Sequence, residues 1–287
     1  MIVHGVKVGD ERSRFIPVGA GSGMEAPLEE IEFLARSTNR VEVLQLLAAR
    51  PHTRRELATA TGASQATLGR ILEDFAERSW VRRDGSEYVA TATGELVADG
   101  VEALVSVFET EAKLRDVVAY LPTTELGFDL RHLADATVTV PTRTRPSAPL
   151  QRVLDAMADA TTLQAFSHTL NEQSLATALD RVTAGEQTFE AVLSATAIEA
   201  LAADDTLWSQ LRALAESDDA EIRVRREEVP VAVTVTDGTV YLLVRDSGGI
   251  LRASLHTDDP AVREWAADAF SGYWEAADPF DPAAFEE

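Results

Sequence analysis

The chain has no cysteine, which excludes disulfides and thiolate metal sites. Lysine is nearly absent: Lys7 and Lys113 are the two lysines among 26 basic residues, and the rest are arginine. Aromatic residues make up 6% of the chain. The five histidines (His4, His52, His132, His168 and His256) are scattered, and no pair has the spacing of a metal site. No stretch approaches the ~20 consecutive apolar residues of a membrane span. The N-terminus also lacks the apolar segment of a secretory signal. Gly-x-Ser-x-Gly, a phosphate-binding glycine loop and His-Glu-x-x-His are all missing, so catalysis is not expected. No cofactor, metal or membrane partner is expected either, and the expected location is the cytoplasm.

What is present in excess is negative charge. Asp and Glu total 48, giving a net charge of −22, with a pI near 4.6. Such an excess repels itself at low salt. At about 1 M salt the Debye length shrinks to ~3 Å and the repulsion is largely screened. Acidity with arginine retained and lysine lost is the pattern of a salt-adapted, halophilic protein; acidity alone does not require losing lysine. A length of 287 residues favours two domains.

Residues 1–23 show no sustained period and end in Gly-Ala-Gly-Ser-Gly before Met24. They are expected to be a disordered leader, with Met24 a candidate initiator. From Glu29 to Arg50, Ile31, Leu34, Ala35, Val41, Leu44 and Leu47 recur at helical spacing, with an interruption expected at Ser37–Asn39. Thr53, with Glu56 three residues on, is a capping box for a helix Arg54–Thr61, which Gly62 ends. Ser64 caps a second helix, Gln65–Ser79, burying Leu68, Ile71, Leu72 and Phe75. Two short strands flank Asp84-Gly85, a hairpin signal.

Helix, glycine-containing turn, helix and hairpin, in that order, spell a winged helix-turn-helix over Thr53–Ala90. Ala58 is small where the second helix crosses. Anchoring Leu68, Ile71 and Leu72 in the core turns Ser64, Gln65, Thr67 and Arg70 outward, on the part of a recognition helix that meets base edges. Gln pairs with adenine and Arg with guanine in bidentate fashion. The Ser64 hydroxyl at the helix N-terminus suits a phosphate. Arg82 and Arg83 lie on the hairpin, in reach of phosphates or a minor groove. Between Arg50 and Arg83 there are seven arginines against four carboxylates, a basic segment in an acidic chain. The bland alternatives are a solvated hairpin for Arg82 and Arg83 and an indifferent surface for Gln65 and Thr67.

A long helix, about Thr93–Tyr120, carries a seam of Val97, Val101, Leu104, Phe108, Val118 and Leu121, broken by Glu111 and Arg115. It is either a packing spacer or a dimer helix. Residues 136–149 read as a short strand and a linker. The C-terminal half then alternates helix and strand from Leu150, gathers four strands between Ile222 and His256, and closes with a helix Pro260–Ala276 and an acidic tail expected to fray. The expected fold is α/β, α+β overall. It comprises a leader (1–23), a winged helix-turn-helix DNA-binding domain (24–92), a connecting or dimerisation helix (93–121) and an α/β sensor or effector domain with a mixed sheet (122–287).

The stretch TRRELATATGASQATLGRILEDFAERSWVRRDGSEYVATATGELVADG resembles the winged-helix domain of haloarchaeal transcription regulators. From about Met24 the chain is similar to archaeal regulators whose effector domain is shared with a methanogenesis regulatory protein of filamentous methanogens. Phrases such as AVTVTDGTVYLLV and WAADAFSGYWEAADPF carry the C-terminal part of that likeness. The resemblance implies a homodimer on double-stranded DNA, with contacts from Ser64, Gln65, Thr67, Arg70, Arg82 and Arg83. It also implies a C-terminal domain that senses a signal or mediates assembly.

In that domain, Ser167 and His168 follow a strand at its carboxyl end, where open α/β sheets bind ligands. They are the candidate contacts for a small-molecule effector; the alternative is a loop histidine bonding locally. Phospholipase-D-like domains place a catalytic His there with a Lys two residues on, but the chain has Leu170. Arg223, Arg225 and Arg226 form either an anion site or a solvated strand face. Trp265, Tyr273 and Trp274 are expected in the core. The competing functional classes are a winged-helix protein-interaction adaptor that does not bind DNA and a hydrolase-like enzyme with an appended targeting domain.

Overall fold

The computed structural model describes residues 24–285. The expectations for residues 1–23, and for the initiator at Met24 that rests on them, lie outside the described residues. The chain divides into two compact units between Leu104 and Val105.

In the N-terminal unit, α1 (Glu25–Ala35) and α2 (Thr38–Ala49) break at Arg36–Ser37, close to the expected interruption. β1 (His52–Thr53) leads into α3 (Arg54–Thr61), and α4 (Gln65–Glu77) follows. β2 (Val81–Asp84) and β3 (Glu87–Ala90) form an antiparallel hairpin, and β1 pairs with β3 to give a three-stranded sheet. Asp84 is still in the strand, so the turn is Gly85–Ser86 rather than Asp84-Gly85, with Gly85 supplying a φ of +60°.

The core gathers the apolar stripes of α2, α3 and α4. Leu44, Leu47, Leu57, Leu68 and Phe75 are fully buried. Phe33, Phe75 and Trp80 pack edge-to-face or tilted, with centroids 5.7–6.3 Å apart. The Arg40 and Arg78 guanidiniums lie over Phe33 at 3.9 and 3.8 Å. Arg40 also pairs with Asp74 at 3.4 Å and Arg78 with Glu30 at 2.7 Å.

α5 (Ala92–Leu114) starts in this unit. Gly94 is required there, because a Cβ would sit 1.9 Å from the Trp80 carbonyl oxygen. The helix expected to reach Tyr120 stops at Leu114, and Val118–Tyr120 is a 3-10 turn. Leu114, Val117 and Leu121 are buried in the core of the second unit. The seam ends before Val118 and Leu121, while Leu104 and Phe108 stay exposed.

The C-terminal unit is built on an eight-stranded mixed sheet of order β11-β7-β6-β5-β8-β9-β10-β4. Its strands are β4 (Thr137–Thr139), β5 (Thr162–Ser167), β6 (Thr188–Ser194), β7 (Ala220–Arg225), β8 (Ala232–Thr236), β9 (Thr239–Arg245), β10 (Leu251–Thr257) and β11 (Asp278–Pro279). β5, β6 and β7 are parallel, joined through α7 (Glu172–Thr183) and through α8 (Ala195–Ala202) with α9 (Asp205–Ala215); the remaining pairs are antiparallel. Strand alternation sends side chains to two cores. Phe166, Val240, Leu242 and Val244 pack with Val262 and Phe270 of α10 (Pro260–Glu275). Leu163, Phe189 and Tyr241 pack on the other face with Met157 of α6 (Ala148–Asp159) and with α7 to α9.

Where fraying was expected, the closing acidic segment packs on the sheet as far as Phe285, the last described residue. Phe280 donates its N–H to the Ile222 carbonyl at 2.9 Å, and its ring meets Trp208 at 5.7 Å and Phe285 at 6.2 Å. Aromatic anchoring outweighs the carboxylates there. Arg223, Arg225 and the late aromatics are also settled by packing. Arg223 pairs with Glu221 at 2.9 Å and lies 4.3 Å over Trp274; Arg225 pairs with Glu227 at 2.5 Å and lies 4.7 Å over Tyr273. For these two residues neither expectation holds: they are paired and packed, not an open anion site or a solvated face. Trp265 packs between Phe128 and Phe166.

Candidate nucleic-acid interface

α3 begins with a complete capping box. The Thr53 N–H donates to Glu56 Oε2 at 2.7 Å, and the Glu56 N–H donates to Thr53 Oγ1 at 3.3 Å. The Thr53 N–H and hydroxyl hold the Glu56 carboxyl below the usual carboxylate range. Gly62 ends the helix at φ +69°, a left-handed conformation that admits glycine without strain. Ala63 is buried in the turn, and Ser64 caps α4, its Oγ accepting the Thr67 N–H at 3.1 Å. The Ser64 and Thr67 hydroxyls are 2.9 Å apart.

Burial of Leu68, Ile71, Leu72 and Phe75 fixes how α4 is rotated. Ser64, Gln65, Thr67 and Arg70 are consequently exposed, as their spacing requires. Arg82 and Arg83 are exposed on β2. Arg82 reaches Asp84 at 3.3 Å, and Arg83 donates from Nε to the Gly85 carbonyl at 2.9 Å. The hairpin cations are therefore partly engaged with their own turn.

Arg54 is a positioning residue that sequence reasoning missed. Its Nη2 donates to the Gln65 carbonyl, tying the start of α3 to the first turn of α4. A Cβ on Gly69 would stand 2.5 Å from that guanidinium, so Gly69 makes room for it. The signal was a glycine in mid-helix, which costs about 1 kcal/mol relative to alanine and needs a reason.

The segment's seven arginines thus sort by partner. Arg78 is bound to Glu30, Arg50 is 3.9 Å from Glu56, Arg82 meets Asp84, and Arg54 is spent on α4. Among the described residues Arg55, Arg70 and Arg83 have no carboxylate in ion-pair distance, and all three are exposed. These are the cations left for phosphates or bases.

The second pair of candidates does not share a site. Ser167 is buried; its Oγ donates to the Thr169 carbonyl at 2.6 Å and accepts the Thr169 N–H at 3.1 Å. His168 donates from Nδ1 to the Val229 carbonyl at 3.0 Å. Ser167, the last residue of β5, and His168, just past it, line adjoining cavities that share Leu243 and Arg245. Among the described residues no cluster of His, Asp and Glu could hold a metal ion, and no helix is long and apolar enough to cross a membrane.

Residues 28–113 match the HVO_A0261 N-terminal domain, and residues 146–276 match the middle domain of the methanogenesis regulatory protein FilR1. No curated protein matches the chain significantly. Among solved structures, TrmBL2, described as an archaeal chromatin protein with a novel mode of DNA binding, is 14% identical with a TM-score of 0.40 over 83% of this chain and 92% of that one. NucT from Helicobacter pylori is 12% identical with a TM-score of 0.40, covering 50% of this chain and 98% of that one. Nuc from Salmonella typhimurium, a phospholipase D family member, is 16% identical with a TM-score of 0.39, covering 50% and 98%. The two domain matches lie one toward each end of the chain, and neither spans half of it.

Proposed function

We propose that the protein is a sequence-specific DNA-binding transcription regulator whose winged helix-turn-helix reads the major groove with α4. It works by binding rather than catalysis, as a homodimer, in a salt-rich cytoplasm. Its C-terminal unit senses a small-molecule signal. The observation that carries this reading is the exposed face of α4. Ser64, Gln65, Thr67 and Arg70 present donors and acceptors, and no large apolar side chain lies among them. An adaptor surface would need an apolar centre there. Gln65 and Arg70 are the base-reading pair, while Arg55, Arg83 and the N-terminus of α4 take phosphates.

Leu104 and Phe108, four residues apart and exposed on α5, support the dimer. Signal binding would shift the spacing of two recognition helices. In vitro selection from random duplex DNA tests the reading. The expected product is a motif of two half-sites, with one position relaxed by Arg70→Ala. Recovery of unselected sequence would sink it. Leu104→Glu with Phe108→Glu should give monomers by analytical ultracentrifugation; an unchanged mass would remove α5 as the dimer element.

A further inference from the structure

We propose that the cavity beside His168 and Arg245 binds a small organic monocarboxylate, with its head group on the Arg245 guanidinium. The proposal rests on the sensing role above and names its ligand class. The cavity measures about 380 Å³, within the range of roughly 300–1,000 Å³ usual for small-molecule sites. Val231, Leu243 and Val244 give it an apolar wall, and His168, Glu228 and Arg245 give it polar ones.

Arg245 closes β9, and its Nη1 donates to the Gly249 carbonyl at 3.0 Å. Its Nε is shielded from solvent with no acceptor. Among the described residues it has no carboxylate in ion-pair distance, unlike Arg223 and Arg225 of β7. A guanidinium taken out of water without a counter-charge is costly. Desolvation accordingly pulls its pKa below the usual arginine value. A carboxylate in the cavity would accept from the outer Nη edge of the fork, where among the described residues the Gly249 carbonyl is the one acceptor present.

The acidic residues of the cavity wall do not supply that carboxylate. Asp246 is engaged: its Oδ1 accepts the Gly248 and Ile250 N–H groups, both at 2.9 Å, and its Oδ2 accepts Arg252 Nε at 2.8 Å. Glu228 is exposed and forms no ion pair among the described residues. Its charge disfavours a multiply charged ligand, so one carboxylate with an apolar body is the expected class. His168 has Nδ1 committed to Val229, which leaves Nε2 for the ligand.

The test is thermal unfolding and calorimetry of the full chain with isovalerate and benzoate, against isovaleramide and benzamide. The acids should raise the unfolding temperature of the C-terminal unit and the amides should not. Arg245→Met should weaken acid binding by at least about tenfold, the scale of a charge-assisted bond. It should also leave the ligand-free unfolding temperature equal or higher, because it removes unpaired buried donors. Glu228→Gln, at an exposed position, should tighten acid binding.

Equal shifts from acid and amide, no shift from either, or a lower ligand-free stability of Arg245→Met would each overturn the assignment. So would a Glu228→Gln variant that fails to tighten acid binding. Duplex binding is measured in parallel. If the selected duplex binds but the acids do not, the ligand assignment falls and the regulator stands. If wild type binds no duplex, the regulator reading falls whatever the acids do.

Discussion

Residues 24–104 carry nine arginines against fourteen carboxylates, whereas residues 105–287 carry fourteen basic residues against thirty-two. In the first region carboxylates hold Arg40 and Arg78 against the core, while Arg55 and Arg70 are exposed with no ion pair among the described residues. In the second, Arg223 and Arg225 are paired and stacked, while Arg245 is half-buried with no ion pair among the described residues. Even with carboxylates in such excess, Arg55, Arg70 and Arg245 form no ion pair among the described residues, and position rather than residue type tells what each is for. Exposed on a capped helix, such an arginine is available to a polyanion. Lining a cavity, it is available to a small anion.

The largest effect should come from removing the core that orients the first group. Phe75 is fully buried, and Phe75→Ala should cost roughly 3–5 kcal/mol. Calorimetry should show the loss in the N-terminal unit alone. An equal shift of both units would break the comparison between them.

The next effect separates two kinds of exposed arginine. Arg55→Ala should flatten the salt dependence of DNA binding by about 0.9 in log–log slope for each phosphate that Arg55 neutralises, with sequence preference intact. Arg70→Ala should change the preferred base, at about 1–3 kcal/mol of discrimination. The total slope should be shallow for a chain that works in molar salt. A steep fall up to molar salt, or identical profiles for the two variants, would blur the distinction.

The smallest effect is acid-side. Asp237 accepts the Thr162 and Thr161 N–H groups at 3.0 and 3.2 Å, and the Thr162 N–H leads in holding its carboxyl below the usual carboxylate range. A depressed folded-state pKa contributes stability that is full above the unfolded-chain value and lost as pH falls through the folded one. Asp237→Asn, which tolerates the φ of +46°, should therefore destabilise the C-terminal unit near neutrality. The gap from wild type should close only below the ordinary carboxylate range. A gap that is constant with pH would remove Asp237 from the account.

Much of the first region was legible because its signals are local. The Thr53–Glu56 box, Gly62 and the Ser64 cap each act within four residues, and α3 has the expected ends. The exposure of Gln65, Thr67 and Arg70 followed from the stripe that α4 buries. The bond from Arg54 to α4 joins two helices across the turn, so only the odd placement of Gly69 hinted at it. The end of α5 at Leu114 was hidden because Leu114, Val117 and Leu121 keep the i, i+3, i+7 spacing of one continuous helix face, so the pattern shows no break there. Phe280 and Trp208 are far apart in sequence. Ser167 and His168 were read as a pair by adjacency, although the chain leaves β5 between them and they line different cavities. Arg245 gave no sign in the sequence, since what marks it is the absence of a partner in space.

The central claim is that α4 reads DNA through Gln65 and Arg70. It is tested most directly by genome-wide chromatin immunoprecipitation in the native host, comparing wild type with the Gln65→Ala, Arg70→Ala double variant. The account predicts discrete peaks sharing a motif of two half-sites, lost in the variant at equal protein level. Peaks that persist unchanged in the variant, or no peaks for wild type under several growth conditions, would contradict it.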